Sequence, residues 1–394
     1  MSTLRSFDEL PIAGRRVFCR VDFNVPLENG VVSDDTRIRA ALPTIERIVE
    51  AGGRLVLGSH LGRPKGEANP ALSLEPVAQR LAELVSTSEV LLTDDCIGLG
   101  ARKVVNDLRE GQIAILENLR FHSGEVDNDD AFARELLTHC DVYVSDAFGV
   151  SHRAHTSVHG LPRLVPDRAP GLLLEKEISA LSKLRRDEGD PLVAVLGGSK
   201  VSDKIDLIDA LLPRLDALLI GGAMANTFLA AQGLSIGDSR IEADKLPIAR
   251  TIMLKAKQSE VDLLLPVDVV VAGSLDANEG QVVSADAIPE GSMALDVGPE
   301  TLAQFADRLS TARLLFWNGP MGLFENDAFA TGTRSMLQSI EASPAFSVVG
   351  GGDSVAAVNS LGDPSRIDHI STGGGASLQY LEGRKLPGLE VLRV

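Results

Sequence analysis

The stretch Arg16-Val17-Phe18-Cys19-Arg20-Val21-Asp22-Phe23-Asn24-Val25-Pro26 passes from an alternating apolar run into a charged and polar segment. Such a run predicts a strand, and α/β enzymes bind ligands where polar groups follow the end of a strand. An ordinary strand end is the alternative, in which Asp22 and Asn24 serve only as turn formers before Pro26. The rest of the chain has to decide between these two interpretations.

Other short apolar runs lead into polar or glycine-rich loops in the same way. Before residue 150 these runs are Arg54–Gly58, Ile113–Leu116 and Val142–Val144. The pattern then restarts with Leu192–Leu196, Ala217–Ile220, Leu263–Leu265, Val269–Val271, Leu314–Phe316 and Phe346–Val349. Alternation with longer helix-like segments predicts a parallel sheet wrapped by helices. Because 394 residues exceed what one core usually supports, we expect two doubly wound, Rossmann-like α/β domains.

A helical segment separates the two sets of strands. Leu172–Leu181 has apolar residues at helical spacing and follows Pro170-Gly171, so we interpret it as a connecting helix. A surface helix of one domain is the alternative. The expected organisation is an N-terminal domain over 1–170, the connecting helix over 171–186 and a C-terminal domain over 187–377.

Composition excludes several classes of partner. The chain has 38 Lys+Arg against 55 Asp+Glu and a net charge of -17, which argues against nucleic acid or an anionic membrane. Cys19, Cys96 and Cys140 are odd in number and widely spaced, as expected for reduced thiols. The first residues lack a signal-peptide core, and charges interrupt every long apolar stretch. We expect a soluble, cytoplasmic protein, with a monomer as the prior expectation.

Six further motifs follow the opening stretch in a fixed order. They are Ser59-His60-Leu61-Gly62-Arg63-Pro64, Glu117-Asn118-Leu119-Arg120-Phe121, Ser151-His152-Arg153-Ala154-His155, Gly197-Gly198-Ser199-Lys200-Val201-Ser202-Asp203-Lys204, Trp317-Asn318-Gly319-Pro320 and Gly350-Gly351-Gly352-Asp353-Ser354. In this order and spacing the chain resembles the phosphoglycerate kinase family from about Arg20 to Gly388. The resemblance implies a bilobal, hinge-bending enzyme whose last residues, 378–394, return to the first domain.

Arginines dominate the motifs of the first half. Several arginines aimed at one cleft suit a small anion, because guanidinium offers a fixed fork of donors to phosphate or carboxylate. The resemblance implies that Arg20, Arg37, Arg63, Arg120, Arg153 and His60 bind the phosphate and carboxylate of 3-phosphoglycerate. It assigns the substrate hydroxyl to Asp22 and Asn24, and Phe23, Leu61 and Gly62 complete the implied substrate site.

Histidines of this half admit other interpretations. His152, His155 and His159 fall at i, i+3 and i+7, but zinc is disfavoured because no cysteine or further carboxylate lies nearby in sequence. His60 could be a hydrogen-bonded core histidine. The adjoining Gly62-Arg63 favours a place in the site.

The second half is rich in glycine loops, and it lacks the Walker A pattern. Loops at Gly197, Gly221, Gly350 and Gly373 would let backbone N–H groups approach phosphate. If the segment after Gly198 is helical, Lys200 and Lys204 share one face. The resemblance implies a nucleotide site formed by Gly198, Lys200, Lys204, Gly221, Asn318, Pro320, Glu325, Gly351, Gly352, Asp353 and Ser354. Within it, Asn318, Pro320 and Glu325 would hold base and ribose, and Asp353 would hold Mg²⁺ through ATP or ADP.

The implied reaction is phosphoryl transfer between 1,3-bisphosphoglycerate and ADP. Its nucleophile is already ionised at neutral pH, so no general base is required, and catalysis is positioning and electrostatics. We expect Arg37, Lys204 and the Gly351 and Gly352 amides to stabilise the transferred group, with the two domains closing to react. Ala223, Ala294 and Ser354 differ from the residues that are frequent at these positions in the family. These differences bear on which nucleotide the protein prefers and not on the reaction.

Two other functions remain open at this point. A nicotinamide-dependent dehydrogenase would suit two doubly wound domains, but a convincing G-x-G-x-x-G between a strand and a helix is missing. A binding protein for small phosphorylated acids is permitted by the arginines alone. Lys200, Lys204 and Asp353 argue against it, because a pure acid binder has no use for a nucleotide-phosphate and magnesium site.

Overall fold

The computed structural model describes residues 4–185 and 189–393, and its chain divides into two compact units. Unit 1 is Met1–Ile178 with Lys385–Val394, and unit 2 is Ser179–Arg384. The division falls inside the helix Leu172–Lys183, whereas the sequence placed boundaries at 170 and 187. The expected end of the connecting helix at residue 186 lies outside the described residues. Of the segment 378–394, the part from Lys385 groups with unit 1.

Unit 1 contains a six-stranded sheet in which every pair of neighbours is parallel. Its strands are β1 (Arg16–Val21), β4 (Arg54–Gly58), β5 (Val90–Leu92), β6 (Ile113–Ile115), β7 (Val142–Asp146) and β8 (Arg168–Pro170), in the order β5-β6-β4-β1-β7-β8. A small antiparallel ribbon joins β2 (Leu27–Glu28) to β3 (Val31–Val32). The helices are α1 (Thr36–Glu50), α2 (Glu75–Leu84), α3 (Gly98–Asp107), α4 (Ser123–Asp127), α5 (Asp130–Leu137), α6 (Leu161–Leu164), α7 (Leu172–Lys183) and α15 (Pro387–Glu390).

The central strand β1 is buried on both faces. Val17, Cys19 and Val21 pack in one core cluster with apolar residues of α1 and of neighbouring strands. Phe18 and Arg20 point to the opposite face, because side chains alternate along a strand. The Phe18 ring stacks on Tyr143 there, with 6.1 Å between ring centroids. Helices on both faces of a parallel sheet explain why this strand is buried almost throughout.

Unit 2 repeats the architecture with a different strand order. Its parallel sheet consists of β9 (Leu192–Leu196), β10 (Ala217–Ile220), β11 (Asp262–Leu264), β15 (Leu314–Asn318), β16 (Phe346–Val349) and β17 (His369–Ile370), in the order β11-β10-β9-β15-β16-β17. The helices are α8 (Ile205–Leu211), α9 (Gly222–Ala231), α10 (Leu246–Gln258), α11 (Pro299–Ser310), α12 (Thr331–Ala342), α13 (Gly352–Leu361) and α14 (Gly375–Leu381). Two doubly wound α/β units are therefore present, as the sequence predicted.

The segment Val269–Val271 is not part of that parallel sheet. It lies in β12 (Asp268–Ala272), which pairs antiparallel with β13 (Gln281–Ser284) and β14 (Met293–Val297). Connection length explains the difference, since β11 ends at Leu264 and β12 begins at Asp268. A parallel crossover needs a dozen or more residues, so these three intervening residues cannot provide one.

In each unit the strand order reverses beside the first strand. In unit 1 the reversal lies between β1 and β7, and in unit 2 it lies between β9 and β15. Open α/β sheets bind ligands in the crevice at the carboxyl ends of such strands. Among the described residues, no helix has the length and apolar character needed to cross a membrane.

Candidate active site

At the carboxyl end of β1, Asp22 is held by charged neighbours. Its Oδ2 accepts from Arg37 Nη1 at 2.8 Å, and its Oδ1 lies 3.8 Å from His60 Nδ1 and accepts from Asn24 N at 3.4 Å. Arg37 reaches this carboxylate from the first turn of α1, since that helix begins at Thr36. The pair fixes the Arg37 side chain at the edge of the anion site while leaving it 36% exposed.

Loops after β1 and β4 are cross-linked by polar contacts. Gly62 N donates to Asn24 Oδ1 at 2.8 Å, and Phe23 N donates to Ser59 Oγ at 2.9 Å. Phe23 and Leu61 are themselves buried, so their side chains serve the core while their backbone shapes the site. Phe23, Leu61 and Gly62 therefore shape the implied substrate site through their backbone.

The arginines differ sharply in exposure. Arg63 is exposed and Arg153 is half-buried, donating from Nε to His152 Nε2 at 3.1 Å. Arg120 is 6% exposed; its Nη1 donates to Gly62 O at 2.8 Å, while its Nε and Nη2 are buried without a partner among the described residues. Burial lowers the pKa of Arg120 to about 10, and Arg20 and Arg153 add to this. Two guanidinium nitrogens that are buried and unsatisfied favour binding of an anionic acceptor.

Arg20 differs from the expectation, because its side chain is 0% exposed. Its Nε donates to Ser157 Oγ at 2.7 Å, its Nη1 donates to Val21 O, and its Nη2 lies 3.3 Å from His60 Nδ1. Arg20 therefore contacts His60, and its N–H donors form their hydrogen bonds with groups of the protein itself.

His60 is a neutral imidazole in this setting. It is 3% exposed, and burial lowers its pKa well below the usual value. Four nearby arginines lower the pKa further, since each repels the protonated ring; they are Arg20, Arg120, Arg153 and Arg37. A neutral ring among arginines can only act by hydrogen bonding.

A second polar pocket lies in unit 2 at the reversal point between β9 and β15. It brings together Gly198, Lys200, Lys204, Asn318, Gly351, Gly352, Asp353 and Ser354 from the sequence-predicted set, along with Gly197, Ser199, Asp203, Gly319, Gly374, Gly375 and Leu378. Gly351 has φ +95° and precedes α13, whose first residue is Gly352. Free N–H groups at a helix start and the helix dipole both favour phosphate here.

The lysine segment is a turn, in contrast to the helix considered from sequence. Helix α8 begins only at Ile205, so Lys200 and Lys204 lie in the preceding turns, after Gly198 with φ +87°. Lys200 is exposed and Lys204 is half-buried. Burial lowers the pKa of Lys204 to about 8, although Asp203 and Asp353 oppose the shift.

Two predicted nucleotide contacts are occupied in holding loops together. Ser354 Oγ accepts from Gly319 N at 2.5 Å, and Asn318 Nδ2 donates to Gly350 O at 2.6 Å. Asn318 is 2% exposed, and its Oδ1 is buried without a partner among the described residues. Asn318 thus lies at the glycine loop of this pocket, whereas the sequence had grouped it with base and ribose contacts.

Three predicted members do not line this pocket. Gly221 lies behind it, where an added Cβ would be 2.5 Å from Met321 Sδ. Pro320 accepts from Gly198 N at 2.8 Å through its carbonyl, and Glu325 is exposed on the following loop. These positions leave Glu325 available for a contact with another part of a nucleotide.

Oxygen donors suited to Mg²⁺ are present in the pocket. Asp353 and Asp203 are both exposed there, and both favour the charged form of Lys204. Mg²⁺ prefers one or two carboxylates together with phosphate and water oxygens, which fits this donor set. Sequence reasoning missed Asp203, although its place beside Lys204 was a usable signal.

The histidines 152, 155 and 159 do not form a group of potential metal ligands. Within residues 4–185 and 189–393, the one group with converging ligand atoms is Asp95, Cys96 and His122. There, His122 Nε2 already lies 2.6 Å from Asp95 Oδ1 as a hydrogen bond.

Comparisons with known proteins agree on one family across the whole chain. The family model described as phosphoglycerate kinase matches residues 7–384. The chain belongs to the phosphoglycerate kinase family. A phosphoglycerate kinase from an Anaeromyxobacter species is 54% identical over 393 residues, covering 99% of each chain. One from Moorella thermoacetica is 51% identical over 385 residues, covering 98% of each.

Solved structures of phosphoglycerate kinases share the fold. The structure from Coxiella burnetii is similar with a TM-score of 0.89 and 40% identity, covering 99% of each chain. That from Pyrococcus horikoshii has a TM-score of 0.85 and 33% identity, covering 99% of this chain and 98% of the other.

Proposed function

We propose that the chain is a phosphotransferase that moves the acyl phosphate of 1,3-bisphosphoglycerate to ADP, reversibly, giving 3-phosphoglycerate and ATP. Family membership over nearly the full chain supports the reaction. The observation that carries the proposal is that one chain holds both an arginine-lined anion site and a glycine-lined pocket with Lys204 and Asp353. A dehydrogenase would also bind its dinucleotide at a glycine-rich loop, but it needs neither a lysine at the transferred phosphate nor an aspartate that holds Mg²⁺.

On unit 1, the proposed acid site uses three kinds of contact. Arg63, Arg120 and Arg153 supply N–H donors for phosphate and carboxylate, and the unpartnered nitrogens of Arg120 are the least satisfied of these. Asp22 accepts from the substrate hydroxyl, which discriminates against acids that lack it. Arg37, oriented by Asp22 at 2.8 Å, is the guanidinium we assign to the transferred phosphoryl group.

On unit 2, we assign the nucleotide phosphates to the glycine-lined pocket. The Gly351 and Gly352 amides and the Lys204 ammonium would surround the transferred group with positive partial and full charge. Asp353 would hold Mg²⁺ together with nucleotide oxygens; the bound ion would neutralise charge on the phosphates. Lys200 and Glu325 complete the proposed contacts, with Glu325 accepting from ribose hydroxyls.

This arrangement requires no general base. The carboxylate of 3-phosphoglycerate and the terminal oxygen of ADP are ionised at neutral pH, so each is a competent nucleophile. Phosphoryl transfer is then accelerated by alignment and by charge stabilisation in a site without competing water. The chain's own contribution is to hold Arg37 and Lys204 charged and correctly placed.

A coupled assay tests the proposal directly. With magnesium-ATP, 3-phosphoglycerate and glyceraldehyde-3-phosphate dehydrogenase, the product 1,3-bisphosphoglycerate is consumed and NADH oxidation reports the rate. We expect activity that Lys204→Ala abolishes, while Lys257→Ala, a change of an exposed lysine in α10, leaves it intact. Folded protein that binds both ligands without turnover would instead indicate a binding protein.

We also propose that the enzyme is a cytoplasmic monomer. Its three cysteines are free and buried in the structure, which is compatible with a reducing compartment. The net charge of -17 disfavours close association of identical surfaces. Light scattering coupled to size exclusion would test the monomer, with a dimer mass as the contrary result.

A further inference from the structure

A fully buried glutamate lies behind the arginines of unit 1. Glu125, in the short helix α4, is 0% exposed. Its Oε1 accepts from Ser157 Oγ at 2.6 Å and its Oε2 accepts from Ser157 N at 2.9 Å. Burial raises the pKa of Glu125, while Arg20 and the Ser157 contacts lower it. Burying a carboxylate costs free energy even when it is hydrogen-bonded, so a role for Glu125 has to explain that cost.

The hydroxyl of Ser157 connects this glutamate to Arg20. Arg20 Nε lies 2.7 Å from Ser157 Oγ, and guanidinium has donors but no acceptor. The hydroxyl therefore accepts from Arg20 and donates its own proton to Glu125. The chain of contacts has one direction, and Glu125 supplies the negative charge that a completely buried Arg20 requires.

The same argument extends to His60. Arg20 Nη2 lies 3.3 Å from His60 Nδ1, so Nδ1 must accept and the ring proton of the neutral imidazole must be on Nε2. The competing partner of Nδ1 is Asp22, whose Oδ1 is 3.8 Å away and would favour the opposite tautomer. Contact with Arg20 decides the choice because only Arg20 is within hydrogen-bond distance.

We propose that Glu125, Ser157 and Arg20 are positioning residues that hold His60 as the Nε2-protonated tautomer, so that a neutral histidine donates a hydrogen bond to the acid substrate. The substrate part of this inference rests on the proposed function; the tautomer part does not. Without this relay of contacts from Glu125 through Ser157 and Arg20, Nδ1 would be free to take the proton and donate to Asp22. His60 would then offer the substrate an acceptor, which an anion has no donor to satisfy.

The tautomer can be read without activity. In ¹⁵N-histidine-labelled protein, long-range ¹H–¹⁵N correlation spectra distinguish Nδ1-H from Nε2-H, and His60→Gln assigns the signal among the 7 histidines. We expect Nε2-H in the unaltered protein and a mixed or reversed population in Ser157→Ala. Ser157→Thr, which keeps the hydroxyl, should restore the Nε2-H form. An unchanged tautomer in a folded Ser157→Ala protein would overturn the proposal.

Unit 2 offers a matched control network. Asp268 is 7% exposed, and its Oδ1 accepts from Thr301 N at 2.8 Å and from Thr301 Oγ1 at 2.7 Å. This is a similar carboxylate-hydroxyl contact on the other unit, although here one oxygen accepts from both donors. Thr301→Ala should therefore produce a similar structural loss without altering the His60 signal. If it changes the His60 tautomer as much as Ser157→Ala does, the effect is global and the relay is refuted.

Binding and kinetics supply the second readout. Ser157→Ala should raise KM for 3-phosphoglycerate by at most about 10- to 100-fold, the size expected for complete loss of a hydrogen bond to a charged group, and leave KM for magnesium-ATP unchanged. Equal changes in both constants would refute a role confined to the acid. If the unaltered protein shows the predicted tautomer but no kinase activity, the proposed function fails while the relay stands. Glu125→Gln should change the His60 tautomer as Ser157→Ala does. If Glu125→Gln does not fold, the comparison of Ser157→Ala with Ser157→Thr still decides the question.

Discussion

Lys204 should make nucleotide binding sensitive to mildly alkaline pH. Burial lowers the pKa of its ammonium to about 8, so the side chain begins to lose its proton just above neutrality. Phosphate binds the protonated form, so the affinity for nucleotide must fall as the pH rises through this value. A lysine with an ordinary pKa would show no such change below about pH 10.

The size of the effect follows from the protonated fraction. With a pKa of about 8, raising the pH from 7.5 to 9.5 lowers the protonated fraction roughly 25-fold, which corresponds to about 2 kcal/mol. That figure lies within the roughly 1.5–3 kcal/mol expected for a hydrogen bond to a charged group, so the full loss can be expressed in binding. Lys200 is exposed and should contribute a smaller, salt-screened part.

Isothermal titration with magnesium-ADP at constant ionic strength measures this dependence. We expect the dissociation constant of the unaltered protein to rise roughly 25-fold between pH 7.5 and 9.5. Lys204→Arg should be nearly flat over this window, because guanidinium stays protonated. Lys200→Met should be weaker than the unaltered protein throughout but keep its slope. Parallel curves for the unaltered protein and Lys204→Arg would refute the argument.

Other consequences concern Arg37, Asp353, Asp296 and Gly332. Arg37→Ala should lower kcat about 10³-fold by loss of transition-state charge; a change confined to KM for 3-phosphoglycerate would move Arg37 to a binding role. Asp353→Asn should weaken magnesium-ADP but not metal-free ADP, and equal losses in calorimetry would contradict the magnesium assignment. Burial raises the pKa of Asp296 to about 7, so folding favours its protonated form, and the stability that this form contributes is lost as the pH rises through that value. The free energy of unfolding of Asp296→Asn, measured in urea, should therefore rise relative to that of the unaltered protein by up to about 1.4 kcal/mol per pH unit between pH 5 and 7. A difference that stays constant with pH would contradict this. Gly332→Ala would place Cβ 2.1 Å from Asp296 Oδ1 and should destabilise unit 2 by about 1–3 kcal/mol. Gly273→Ala is the control and should change the stability little, because its Cβ would meet its nearest neighbour at 3.7 Å and its φ lies outside the left-handed region.

The sequence predicts the long buried strands well because burial on both faces leaves an uninterrupted apolar run. Leu192–Leu196 and Ala217–Ile220 have the same bounds in sequence and structure. Short edge strands carry no such signal: β5 consists of three half-buried residues, and β17 consists of one buried and one half-buried residue. The direction of β12 was not apparent from its apolar run, because direction depends on the length of the connection before it.

The sequence motifs indicate which residues belong to the candidate site, but they do not indicate how exposed each side chain is. Arg20 and Arg63 look alike in sequence, yet the first is buried on a strand and the second is exposed on a loop. The difference arises from strand alternation combined with a helix layer on the second face, which no local pattern reports. Ser157 and Glu125 escaped notice for the same reason, since they act through Arg20 from separate segments.

The phosphate ligands that we propose for the two units are chemically different. The acid site uses guanidinium groups, of which Arg120 keeps a pKa of about 10 despite its burial, together with a histidine whose pKa burial and the nearby arginines lower well below the usual value. The nucleotide pocket uses backbone amides and a lysine with a pKa of about 8. Amides do not titrate, whereas the lowered pKa of Lys204 lies between pH 7 and 9. Alkaline loss of activity should therefore begin with the nucleotide, and saturating magnesium-ADP should restore the rate at pH 9 where extra acid substrate would not.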